Sequence, residues 1–241
     1  MTMSFARLIR TLAMVGLVAL TLAVPARAVD VTIDSATMTL GFMNVSDLPS
    51  NGGAPQFPSP WGIADLNATF PTPSTVNFTP NTIGDPNPYW YTPSGGPNAT
   101  GNKIMEANLY AENTGGLAGQ TINFKGNVTA FTLQTGTTPN TDYTFKAFIR
   151  DFAPDYSSVV ETMIPITSTG KFTATLATIN DPARHVQWGL QMKGANVWVT
   201  DVASKGSVTV TAVPEPSTYA VLAFAGCAAA AIRRRVRRGI A

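Results

Sequence analysis

Four aromatic residues are the first candidates for chemistry. Tyr89-Trp90-Tyr91 follows the turn-forming Asp85-Pro86-Asn87-Pro88, and Trp198 lies in a later segment. Sugar rings carry apolar C–H faces. Exposed Tyr or Trp beside Asp, Asn or Gln is therefore the residue mix of a glycan site. The competing role for Trp90 is packing, because aromatic side chains bury large areas and usually plug loops onto a core. The second candidate is Arg150-Asp151-Phe152-Ala153-Pro154-Asp155-Tyr156-Ser157-Ser158. Asp151 and Asp155, four apart in a turn, offer oxygen ligands of the kind calcium takes. They also suit an acid/base pair, or a plain turn in which Asp side chains accept from backbone amides.

Other chemistries are closed off. The chain has one Cys and one His, so no intramolecular disulfide forms and no zinc site of Cys and His ligands exists. His185 is predicted on the polar side of a strand, as a surface or hydrogen-bonded residue; no Gly-x-Ser-x-Gly elbow accompanies it. Glu106 and Glu112 share a strand face six residues apart, about 20 Å, too far for a glycosidase pair drawn from that strand alone. No Gly-rich loop opens a helix to cradle phosphate. Catalytic residues are not expected.

The charge lies at the ends. Three basic residues fall in the first 28 positions and five in the last nine. Residues 29–212 carry 8 basic and 13 acidic side chains, a net −5, which argues against binding a nucleic-acid backbone.

The N-terminus reads as an export signal over residues 1–28. Arg7 and Arg10 precede the 14-residue apolar run Thr11–Val24; Pro25 breaks it, and Ala26-Arg27-Ala28 has the small-x-small pattern of a cleavage site. Fourteen helical residues reach about 21 Å, short of a hydrocarbon core of about 30 Å.

Residues 213–241 begin Val213-Pro214-Glu215-Pro216-Ser217-Thr218, continue through the apolar run Tyr219–Ile232, and end in a cluster that includes Arg233, Arg234 and Arg235. The prolines stop any preceding strand. The apolar run makes a short transmembrane helix, and the arginines hold its end on the cytoplasmic side. Cys227 is a small hydrophobe within it. This tail resembles the PEP-CTERM sorting signal. The resemblance implies a bacterial envelope protein whose Pro-Glu-Pro motif is recognised by a membrane-embedded exosortase. It further implies transient anchoring in the inner membrane, release to the cell surface or matrix, and a setting of exopolysaccharide and biofilm. Val213, Pro214, Glu215, Pro216 and Ser217 would then be substrate residues of another enzyme.

Between the two ends, helix-period segments give way to period-2 alternation. Apolar Met105, Ala107, Leu109 and Ala111 alternate with polar neighbours, as do Ile122, Phe124, Gly126 and Val128, then Val186, Trp188, Leu190 and Met192, then Val208, Val210 and Ala212. Further strands are predicted over Val29–Ile33, Thr37–Val45, Asp65–Phe70, Asp142–Phe152, Val159–Thr167 and Lys171–Thr178. One buried and one wet face per strand predicts an all-β domain over 29–212, an antiparallel β-sandwich of jelly-roll type. Residues 46–102 hold 11 of the 18 prolines and are expected to form a long loop-rich insertion.

The segments Gly119–Phe124, Tyr143–Arg150, His185–Met192 and Asn196–Asp201 give the second half a similarity to galactose-binding-like jelly rolls, among which carbohydrate-binding modules are common. That implies a sandwich able to bind glycans and to hold a structural calcium ion. The expectation is an exported surface or matrix protein, structural or adhesive, with exopolysaccharide as a partner. The alternative is a secreted hydrolase of polysaccharide, which would need clustered carboxylates in a groove.

Overall fold

The computed structural model describes residues 28–138 and 142–213. The export signal (Ala28 excepted), Pro214 to Ser217, the C-terminal apolar run and Arg233 to Arg235 lie outside the described residues. Among the described residues no helix is long and apolar enough to cross a membrane.

The described residues form an all-β fold in which two six-stranded sheets face each other. The first sheet contains β1 (Val29–Thr32), β4 (Ala68–Thr72), β5 (Thr75–Phe78), β9 (Thr121–Phe131), β12 (Gly170–Ala177) and β14 (Val208–Thr211). The second runs in the order β11 (Val159–Ile166), β10 (Thr144–Phe152), β13 (His185–Ala195), β8 (Lys103–Thr114), β2 (Leu40–Asp47) and β3 (Pro55–Pro60). A two-residue ribbon pairs β6 (Tyr91–Thr92) with β7 (Thr100–Gly101).

The alternating residues dictate which faces meet. Met105, Ala107, Leu109 and Ala111 of β8 point inward with Val186, Leu190 and Met192 of β13. Ile122, Phe124 and Val128 of β9 meet them from the first sheet with Val208 and Val210 of β14. Phe78 of β5 and Phe145 of β10 join the layers edge to face, their centroids 5.8 Å apart, a geometry worth about 0.5–1.5 kcal/mol beyond area burial.

The structure departs from the expected layout in two ways. First, the sandwich is not wholly antiparallel. β12 lines one side of β9, while β1 and β14 share the other side end to end. β1 runs parallel to β9, pairing Val29 with Ile122 and Thr32 with Lys125. β14 runs antiparallel, and the backbone N–H of Val213 donates to Thr32 Oγ1 at 3.3 Å. Second, residues 46–102 contain five strands besides the end of β2: β3, β4 and β5 in the two large sheets, and the β6–β7 ribbon. β4 overlaps the strand expected over Asp65–Phe70, whereas proline content hid β3. β3 carries Pro55, Pro58 and Pro60, which lack a donor, and it is tolerated because it lies at the margin of its sheet with β2 as its one neighbour.

Candidate functional site

The outer face of the second sheet is built from the polar phases of its strands. Residues that alternate away from the core line up in rows through the register. One row runs Glu161, Arg150, Gln187, Glu112 across β11, β10, β13 and β8. A second runs Phe148, Gly189, Tyr110. A third runs Gln191, Asn108, Phe42 across β13, β8 and β2. From these rows Glu161, Arg150, Gln187, Tyr110, Asn108 and Phe42 line a groove of about 610 Å³, crossing five strands and walled by aromatic and polar side chains.

Arg150 organises the middle of this groove. Its Nε donates to Glu161 Oε2 at 3.1 Å and its Nη1 to Asn108 Oδ1 at 3.1 Å. The guanidinium lies 4.1 Å above the centroid of Phe148 and covers that ring. Phe148 is fully buried although it points away from the core. Gly189 makes room for this: a Cβ there would stand 2.2 Å from Leu109 O, 2.7 Å from Tyr110 Cβ and 2.9 Å from Phe148 Cζ. Asn108 is held from all sides. Its Oδ1 also accepts from Gln191 Nε2 at 3.0 Å, and its Nδ2 donates to the carbonyls of Phe42 and Glu106.

Tyr110 lines the groove, and its hydroxyl makes no hydrogen bond among the described residues. Partial burial, then the charge of Glu112, pushes its pKa above the ordinary tyrosine value. The group therefore stays a protonated donor.

Tyr156 closes one end. It sits at φ 58° in the loop between β10 and β11, and is half exposed. Asp155 Oδ1 shapes that loop by accepting from the Ser157 amide at 3.1 Å and the Ser157 hydroxyl at 2.6 Å, which holds the Asp155 carboxyl below its usual range. The Tyr156 hydroxyl donates to Glu112. Glu112 Oε2 also accepts from Gln187 Nε2 at 2.7 Å. Burial and the Glu112 charge push Tyr156 up to about 12.

His185 lies beneath Tyr156. Its Nδ1 is 2.8 Å from Thr114 Oγ1 and 3.6 Å from Glu112 Oε1, and its Nε2 is 3.3 Å from Pro154 O.

The residues singled out from sequence fall elsewhere or serve other ends. Tyr91 is corrected: it is 0% exposed, and its hydroxyl lies 2.6 Å from Ile83 O and 2.8 Å from Val197 O. A ring enclosed on all sides offers no face to a sugar. Trp198 packs edge-on against it at 5.5 Å. Trp90 is half buried between Phe57 and Tyr89. Tyr89 is exposed, with Lys103 Nζ 4.1 Å from its centroid. These four aromatics do not line the groove.

The calcium pair Asp151 and Asp155 is likewise corrected. Asp151 is fully buried, and its cation is Arg184: Nε donates to Oδ1 at 2.8 Å and Nη2 to the Asp151 carbonyl at 2.7 Å, while the Ile179 amide donates to Oδ2. Both carboxylate oxygens are spent on protein donors, and Asp155 is spent on its own turn. Among the described residues no group of three or more His, Cys, Asp or Glu gathers in one place.

Sequence reasoning missed Phe42, Asn44, Asn108, Tyr110, Tyr156, Glu161 and Gln187 as a group. The signal was present in the polar phases of the predicted strands. It becomes a site only when those phases are stacked in register.

No family model matches this chain, and no curated protein matches it. A solved structure of carbohydrate-binding modules from the β-sandwich superfamily, described for their promiscuous specificity, is similar over 71% of this chain and 70% of that one, at 16% identity and a TM-score of 0.30. A likeness at that level carries no argument about the ligand.

Proposed function

We propose that this chain is an exported, non-catalytic surface or matrix protein that holds a polysaccharide strand in the groove across its second sheet. The groove carries the reading. It spans four inter-strand steps, about 19 Å, which suits an extended oligosaccharide better than a compact metabolite. Tyr110, Phe152, Tyr156 and Phe42 supply apolar surface for ring C–H faces. Asn44, Arg150, Glu161, Gln187 and the Tyr110 hydroxyl supply donors and acceptors for sugar hydroxyls. Cleavage is disfavoured because Glu112 and Glu161 rise from strands three steps apart, about 14 Å between backbones, and each is held by neighbouring donors. Export and exosortase sorting are part of the same proposal; they rest on residues 1–28 and on Val213 to Arg235.

The test is affinity gel electrophoresis of the full chain in a panel of soluble polysaccharides. Retardation is expected, and Tyr110→Ala is expected to weaken it by about tenfold or more. A mobility that no polymer changes would refute the groove reading. Sorting is tested separately: Glu215→Ala is expected to leave unprocessed, membrane-bound chain, and unaltered processing would refute it.

A further inference from the structure

At the end of β10 and β13 opposite Tyr156, two loops enclose a cavity of about 320 Å³ that shares no residue with the groove. One loop carries Asn98 to Thr100, and the other follows β13 from Asn196 to Lys205. Asp201 joins them. Its Oδ2 accepts from the Asn98 amide at 2.6 Å and its Oδ1 from Thr200 Oγ1 at 3.0 Å. Gly101 lets the two segments close, since a Cβ there would stand 2.0 Å from Asn196 O.

Tyr143, just ahead of β10, forms the buried inner end of this cavity with Asn196 and Val197. Asn196 is committed to the protein: its Oδ1 accepts from the Lys103 amide at 3.0 Å and its Nδ2 donates to Trp90 O at 2.9 Å. The Tyr143 hydroxyl is different. It is buried, and it makes no hydrogen bond among the described residues. Its ring lies against Gly194, where a Cβ would stand 2.2 Å from Cδ1. Burial pushes its pKa above the ordinary tyrosine value, so the group stays a protonated donor. A buried, unbonded hydroxyl costs stability. A ligand seated at this inner end removes the cost by bringing an acceptor.

The outer lining says what the ligand is. The Thr100 and Thr200 hydroxyls, the Asn98 side-chain amide, the Asp201 carboxylate and the Lys205 ammonium mix donors with acceptors. Such a lining suits a compact polyol that both gives and takes hydrogen bonds. The volume is near the lower limit of about 300 Å³ for small-ligand sites, which gives room for one ring. We infer that this cavity is a second binding site, independent of the groove, for a single polyhydroxylated ring: a monosaccharide, free or at the end of a chain.

The experiment is isothermal titration of the full chain with glucose, galactose, mannose, xylose and rhamnose, and with disaccharides ending in each. Saturable one-to-one binding of at least one sugar is expected. Tyr143→Phe keeps the ring on Gly194 and removes the hydroxyl alone. Affinity is expected to fall about tenfold, while the ligand-free variant melts no lower than the wild type. Lys205→Met changes the outer lining and leaves the buried end intact; it is expected to weaken binding about threefold. Tyr110→Ala is expected to leave this binding unchanged. A disaccharide that binds as well as its terminal sugar identifies a chain end as the ligand, and binding of the free sugar alone identifies the free ring. Binding of no sugar, an affinity untouched by Tyr143→Phe, or a loss in Tyr110→Ala instead would overturn the inference. A lower melting temperature for Tyr143→Phe would overturn it as well, by showing that the hydroxyl already has a partner in the protein. None of these results bears on retardation by polymers, which tests the groove alone.

Discussion

Tyr156 and His185 stack face to face, with centroids 4.5 Å apart and planes inclined by 10°. The Tyr156 hydroxyl is bound at the same time to Glu112. The loop that ends the groove is thus tied to β13 by a ring face and to β8 by a hydrogen bond. Its hold depends on the tyrosine keeping its proton. An unfolded tyrosine releases it near pH 10, whereas Tyr156 retains it to about 12. The folded state binds this proton more tightly, so the stabilisation is whole below pH 10 and is lost as pH climbs from 10 toward 12. Tyrosinate absorbance should show a late titration step that Tyr156→Phe abolishes. A Tyr156 that titrates with the free amino acid would contradict the contact.

The Asp151–Arg184 pair should behave as a structural clamp. Breaking a buried, multiply bonded pair by removing one partner costs about 3–5 kcal/mol. In a domain of this size that lowers Tm by on the order of 10 °C. Arg184→Met is the test by thermal melting. Chelation with EDTA should leave the wild-type melting curve in place; a drop would restore a metal ion to this region.

Tyr91 and Tyr110 should separate stability from binding. Tyr91→Phe removes the hydroxyl shared by the Ile83 and Val197 carbonyls, at about 1–3 kcal/mol of stability, with polysaccharide affinity unchanged. Tyr110→Ala should do the reverse, because its ring faces the groove and its hydroxyl anchors nothing among the described residues. Denaturant melts paired with gel retardation distinguish the two. A Tyr91→Phe chain that lost binding at full stability would return the ligand to the aromatic cluster at residues 89–91.

Gly189 should tolerate no side chain. Gly189→Ala pushes a methyl against the Leu109 carbonyl, Tyr110 and Phe148. A destabilisation of about 1–3 kcal/mol is expected from overpacking. Binding should weaken as well, because Tyr110 lines the groove and Phe148 supports Arg150 within it. A neutral effect on both readouts would mean that Phe148 does not rest on the sheet at this point.

The fold was legible wherever alternation was clean. Met105 to Ala111, Ile122 to Val128 and Val186 to Met192 face the core as their period demands. The strand boundaries moved by a few residues where turns intrude: the run expected from Thr37 begins at Leu40, after a turn anchored on Asp34. β3 was illegible because Pro-Gln-Phe-Pro-Ser-Pro has no strand signature, and its place is decided by the free margin of β2. The parallel pairing of β1 was illegible for another reason. A four-residue strand carries no mark of direction, and its slot exists because β14 is too short to cover the whole of β9. The residues singled out from sequence and those that line the groove are different sets. Aromatics near Pro and Asn drew attention, but Tyr91 is drawn inward by its carbonyl partners. Tyr110 looked like an ordinary polar-phase residue until Gly189 cleared the floor beside it.

The proline-rich margin strand has a consequence for crowding. A neighbouring copy that laid its own backbone along Pro55 to Pro60 would meet gaps where donors are needed to extend the ladder. Densely gathered molecules are thereby kept from knitting into fibres along that rim.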